Sequence, residues 1–146
     1  SKEARKYDKL QQEEIQALKE SLAAYEKEQR REDKVRLKTE DALRKRFATL
    51  YKNLTVNDRA VEGLADLNEE LRLKAEEVIH QLNAAPDFVP IKRKVFGKKN
   101  RETVLEVVFA YKGRLYFRKG IDRRVEVLAV GTKNTQGREL EFLSSL

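Results

Sequence analysis

Three apolar runs of strand length lie within Thr103–Asn134, and they constrain the fold of this chain more than any other feature. Val104–Phe109 is nearly continuous apolar, Val125–Val130 is apolar except at Glu126, and Arg114–Arg118 alternates. Side chains on a strand switch faces at every residue, so Leu115 and Phe117 share one face of the middle run. Arg114, Tyr116 and Arg118 share the other. Tyr111-Lys112-Gly113 and Gly120-Ile121-Asp122 separate the runs, which predicts a three-stranded antiparallel meander. One face of its middle strand is then greasy and the other cationic.

The placement of charge agrees with that polarity. Of the net +7, residues 91–146 hold 14 Lys/Arg against 6 Asp/Glu, whereas residues 1–90 hold 18 against 19. A cationic surface confined to the strand-rich part favours a polyanionic partner such as nucleic acid, with ordinary solubility charge as the alternative. The chain has no cysteine, which excludes disulfides and thiolate chemistry, and its single histidine excludes a His-rich metal site. No cofactor is implied. No apolar run approaches the roughly 18–20 residues that span a bilayer, and no signal-peptide core precedes the first helix. The expectation is a cytoplasmic protein without a membrane partner.

Residues 1–31 are rich in Lys, Glu, Gln, Ala and Leu and contain no Gly or Pro. Ile15, Leu18, Leu22 and Tyr25 follow the 3-4-3 rhythm of a seam along one helix face, and Tyr7 and Leu10 extend it backwards. Such a narrow stripe needs another helix or a groove to cover it. The charged run Gln29–Lys38 is either a bend or more solvated helix. Thr39 is a candidate N-cap before Glu40 and Asp41, and Leu43, Phe47, Leu50 and Leu54 repeat at 4-3-4. A short strand is expected at about Tyr51–Val56. Asn57 or Asp58 can cap a helix carrying Val61, Leu64 and Leu67. Asp66-Leu67-Asn68 then pivots into a second helix with Leu71, Ala75, Val78, Ile79 and Leu82 on one side. Asn83-Ala84-Ala85-Pro86 ends it. Ile91–Arg101 reads as a loop with six basic residues, and Arg138–Leu146 as a short final helix that buries Leu140 and Leu143.

From about Tyr51 onward, the chain resembles the RelE/ParE toxin superfamily, with its HigB and phage-derived relatives. The resembling features are a short strand running into Val56-Asn57-Asp58-Arg59-Ala60-Val61-Glu62-Gly63-Leu64, paired helices to Leu82 and a basic segment before the sheet. The strand Gly113–Arg118 and the ending Val127–Asn134 complete the likeness, which covers roughly two-thirds of the chain. It implies an α+β fold: a small twisted antiparallel sheet with a helical hairpin on one face and a basic concavity on the other. The expected organisation is a helical extension at 1–50 and a RelE/ParE-like domain at 51–146. Members of the superfamily cut mRNA in the ribosomal decoding site or poison DNA gyrase without cutting. An antitoxin helix or strand usually covers the concavity.

Carried over residue by residue, the resemblance places Arg114 on the strand that faces the phosphate and Lys133 near the second functional basic position. Cleavage by 2′-hydroxyl attack needs a proton acceptor, donors for the charged phosphorane and an acid for the leaving oxygen. Arg114 can hold two phosphate oxygens at once. Arg118 has the same strand parity and can take an adjacent phosphate, and Tyr116 can stack on a base or donate a proton. Lys92, Arg93, Lys94, Lys98, Lys99 and Arg101 are candidate RNA contacts, because several cations add cumulatively to salt-sensitive binding. His80 sits among Val78, Ile79 and Leu82 and reads as a packed or surface histidine.

One departure stands out. Where ribosome-dependent members carry basic residues on the first meander strand, this chain has Leu105-Glu106-Val107-Val108. The leading expectation is a metal-independent endoribonuclease of the toxin type acting at the ribosome. The alternative is a non-enzymatic binding module, a gyrase inhibitor or an RNA- or protein-binding domain. Residues 1–50 are expected to form a homodimer, to cover the basic face or to dock another helical protein.

Overall fold

The computed structural model describes residues 1–96, 103–120 and 122–146. They form two compact units, Ser1–Leu37 and Lys38–Leu146. From Lys2 onward the first is helical and belongs to α1 (Lys2–Leu50), and all of its side chains are exposed. Strong helix formers and the absence of Gly and Pro explain its length. The run Gln29–Lys38 continues the helix, with Arg31–Glu28 at 3.3 Å and Arg36–Asp33 at 3.6 Å linking successive turns. Thr39 therefore lies inside a helix, where a cap was expected. Nothing between 29 and 38 interrupts the backbone ladder.

In the second unit, the last turns of α1 bury Leu43 and Phe47, and the helix ends at Leu50. The short strand β1 covers only Leu54–Val56, since Tyr51 still donates its N–H to Phe47 O at 3.0 Å. Helices α2 (Asp58–Asp66) and α3 (Glu69–Ala84) follow. Asn57 and Asn68 cap them, each side-chain oxygen accepting a backbone N–H at 2.9 Å. The tight link between the helices is closed by Arg72, which donates to the carbonyls of Leu64, Ala65 and Leu67 at 3.0–3.1 Å. A single 3-10 turn at Pro86–Phe88 leads to β2 (Arg93–Phe96). The meander is β3 (Thr103–Phe109), β4 (Gly113–Lys119) and β5 (Val125–Thr132). A 3-10 turn at Lys133–Thr135 and α4 (Gln136–Ser144) end the fold.

The class is α+β, as expected, but the sheet has five strands in the order β1-β5-β4-β3-β2. It is mixed where an antiparallel sheet was expected, because β1 runs parallel to β5 with Leu54 opposite Val125. The basic segment read as a loop supplies an edge strand, Arg93 pairing with Glu106 and Val95 with Val104. An edge strand needs partners on one side only, so it tolerates a composition rich in Lys and Arg.

Two clusters hold the sheet. On one face, Val107, Leu115, Phe117, Val127 and Val130 pack against apolar residues of α2, α3 and the end of α1. This is the expected helical hairpin. Gly63 permits the close approach of α2, since a Cβ there would lie 1.9 Å from Val130 O. The other face carries a second cluster of Val104, Tyr116, Leu128, Ala129 and Leu143, with Leu140 and Phe142 of α4 packed on it. A bulge makes this possible. Tyr116 pairs with Ala129 and Phe117 with Val127, which leaves Leu128 as the extra residue.

Candidate nucleic-acid interface

The face expected to be an open cationic hollow is closed by α4. Tyr116 is 0% exposed, and its hydroxyl donates to Glu106 Oε2 at 2.6 Å. Glu106 also accepts from Gln136 Nε2 at 2.9 Å and from Arg93 at 3.0 and 3.4 Å. Burial pushes the Glu106 pKa up, but the hydrogen bonds from Tyr116, Gln136 and Arg93 outweigh it and hold the group below its ordinary value. Burial raises the Tyr116 phenol strongly, and its bond to Glu106 adds to the shift. Neither group is placed to exchange a proton with a ligand. Tyr116 therefore does not stack on a base in this arrangement, and Glu106 is not a free proton acceptor.

The helix α4 is also tied to α2. Arg59 donates to Glu139 Oε2 at 3.1 Å, and its guanidinium carbon lies 4.8 Å from the centre of the Phe142 ring. A cleft of about 360 Å³ beside this contact is lined by Arg59 and Arg138 but also by Glu62, Asp66 and Glu139. Its mixed charge gives a polyanion no net attraction.

The expected cations separate into three groups. Arg118 shares the Arg114 face but lies four residues away along the strand, about 13 Å. It pairs with Glu126 at 3.0 and 3.4 Å. Arg93 is engaged with Glu106, while Lys92 just before the edge strand and Lys94 on it are exposed. Lys98, Lys99 and Arg101 lie outside the described residues.

Arg114 and Lys133 come together. Arg114 pairs with Gly131, and the Lys133 N–H donates to Lys112 O at 2.8 Å, so Lys112, Arg114 and Lys133 occupy one end of the sheet. Arg114 Nη1 donates to the carbonyls of Tyr111 at 2.8 Å and Gly113 at 3.0 Å, which holds the hairpin turn and keeps the guanidinium charge at its tip. Sequence reasoning passed over Tyr111, which sits at the tip with 78% exposure. Its backbone, like that of Ala110, is left-handed, with φ of 62° and 46° respectively. A bulky residue in that region is unusual. The available signal was an aromatic between Ala110 and Lys112 in a turn, a position that folding alone would fill with Gly or Asn. A hairpin end that carries cations and exposes an aromatic ring can bind a phosphate chain and stack on a base.

The clamp around Glu76 is structural. Arg46 donates to Glu76 at 2.6 and 2.8 Å, and the Tyr51 hydroxyl donates at 2.7 Å. His80 is exposed on the surface of α3, with its ring edge-on to the Tyr51 ring at 6.1 Å between centroids. Among the described residues, no group of three or more metal-ligating side chains is placed to hold an ion. Also among them, no helix is long and apolar enough to cross a membrane. The chain matches no model of a protein family, no curated protein and no solved structure.

Proposed function

We propose that the Lys38–Leu146 unit is a non-cleaving RNA-binding module of the RelE/ParE type. Its binding site is the β3–β4 hairpin tip together with the start of the turn before α4. The observation that carries this reading is that Lys112, Arg114 and Lys133 lie at one end of the sheet, at the same hairpin turn that exposes the ring of Tyr111. The cations hold successive phosphates and the ring stacks on a base. The withdrawal of Tyr116 and Glu106 into a buried hydrogen-bonded pair argues against acid–base cleavage at the same face.

The test is binding of a labelled single-stranded RNA at several salt concentrations. Each phosphate contact removed by Lys112→Ala or Lys133→Ala lowers the slope of log K against log salt by about 0.7. Tyr111→Ala weakens binding by about 1–3 kcal/mol without changing that slope. Unaltered binding in all three variants refutes the assignment.

One observation favours a second reading, ribosome-dependent endoribonuclease. Arg114 and Lys133, the two residues that the resemblance singles out, share one end of the sheet. Expression of wild type and Arg114→Ala, followed by mapping of mRNA 5′ ends, distinguishes the two. Codon-phased cuts that vanish in the variant replace the binding reading with the nuclease.

A further inference from the structure

We infer that residues 11–29 of α1 pair with the same residues of a second copy of the chain as a parallel two-stranded coiled coil. Every side chain of residues 1–37 is exposed, and Ile15, Leu18, Leu22 and Tyr25 each expose more than half of their surface. Their 3-4-3 spacing assigns them to heptad positions a, d, a and d. That narrow seam suits one facing helix, whereas packing on a sheet calls for a wider apolar face. A single solvated helix gains no burial of its own, so the seam is stabilised only when covered.

Sequence and charge identify the cover as a second copy in parallel orientation. Within parallel coiled coils a β-branched residue at a with leucine at d favours two strands, and Ile15 with Leu18 is that pair. Gln11 at d and Gln29 at a bound the apolar layers, and in a parallel pair each meets its own equivalent. Position g holds Glu14 and the following e holds Lys19. In parallel register, Glu14 of one copy faces Lys19 of the other, twice by symmetry. The antiparallel alignment that keeps the same four apolar layers in contact sets Glu14 against Glu28 and Lys19 against Lys19. These are like charges. Beyond Gln29 the parallel register brings Glu28 toward Asp33, and each already has a basic neighbour on its own helix, Arg31 and Arg36. The seam therefore ends there. This pairing involves the first unit alone and holds or fails independently of RNA binding.

Sedimentation equilibrium of the full chain tests it. The expected result is a reversible monomer–dimer equilibrium that Leu18→Glu/Leu22→Glu abolishes, while the near-ultraviolet tyrosine signal of the second unit is unchanged. Glu14→Lys raises the dimer dissociation constant about tenfold, and Glu14→Lys/Lys19→Glu restores it. The chain lacks cysteine, so Gln11→Cys reports orientation: mild oxidation should link the variant to itself. Linking only when Gln11→Cys is mixed with Gln29→Cys overturns the parallel pairing. A chain that remains monomeric up to about 0.1 mM overturns the association itself.

Discussion

Glu106 and Tyr116 form the most consequential buried polar pair, and mutating them separately and together tests whether the second face is a packed core. Tyr116→Phe removes one short hydrogen bond and leaves Glu106 with Gln136 and Arg93, so the expected loss is about 1–2 kcal/mol. Glu106→Ala is worse. It leaves the wholly buried Tyr116 hydroxyl without its acceptor, at about 1–3 kcal/mol, and adds about 0.8 kcal/mol for each buried methylene removed. Arg93 contributes little to that sum, because its side chain is about half exposed and regains water. The total is about 2–4 kcal/mol. Glu106→Leu/Tyr116→Phe replaces both partners with apolar groups and should recover to within about 1–2 kcal/mol of wild type. The assay is urea unfolding followed by near-ultraviolet circular dichroism. The chain has no tryptophan, so the signal comes from its five tyrosines and is not swamped by the long helix. Additive losses in the double variant, or single losses below about 0.5 kcal/mol, refute a coupled buried pair.

Acid should weaken the second unit. Hydrogen bonds hold Glu106 and Glu76 below the ordinary carboxylate value, with Arg46 the largest cause at Glu76. The unfolded groups protonate near pH 4.3, so this stabilisation is full at neutral pH and is lost as pH falls below about 5, measurable as a falling urea midpoint. Tyr51 is pushed up to about 12 by burial and its bond to Glu76, so its neutral form is favoured in the fold. Its contribution persists below about pH 10 and fades as pH rises through the folded value, and an absorbance step near pH 12 should disappear in Tyr51→Phe. Gly63→Ala forces α2 away from β5 and should cost about 3 kcal/mol or more in the same unfolding assay. Tyr111→Gly relieves a left-handed backbone and should stabilise by about 1 kcal/mol while weakening RNA binding, a split that a purely structural Tyr111 would not show.

Much of the local structure was legible in the sequence. The cap at Asn57 or Asp58, the pivot at Asp66-Leu67-Asn68, the meander and the final helix with Leu143 inward all follow from spacing and turn chemistry. The edge strand was not legible. Lys92–Lys94 carry no apolar alternation, and β2 exists because Glu106 and Val104 offer it partners. The strand parity of Arg114, Tyr116 and Arg118 was read correctly, yet the open cationic face inferred from it was not. Parity says which side a residue faces, and it is silent on what arrives to cover that side.

Sequence by itself determined that residues 1–31 are helical, the strand faces, the charge imbalance and the seam at Ile15–Tyr25, because each depends on neighbours a few residues away. Only tertiary structure decided that β1 joins β5 in parallel, that α4 seals Tyr116 and Glu106 from water, and that the backbone of Lys133 pairs with that of Lys112 at the hairpin end. Those outcomes depend on contacts between residues distant in the chain, whose energies no local pattern records.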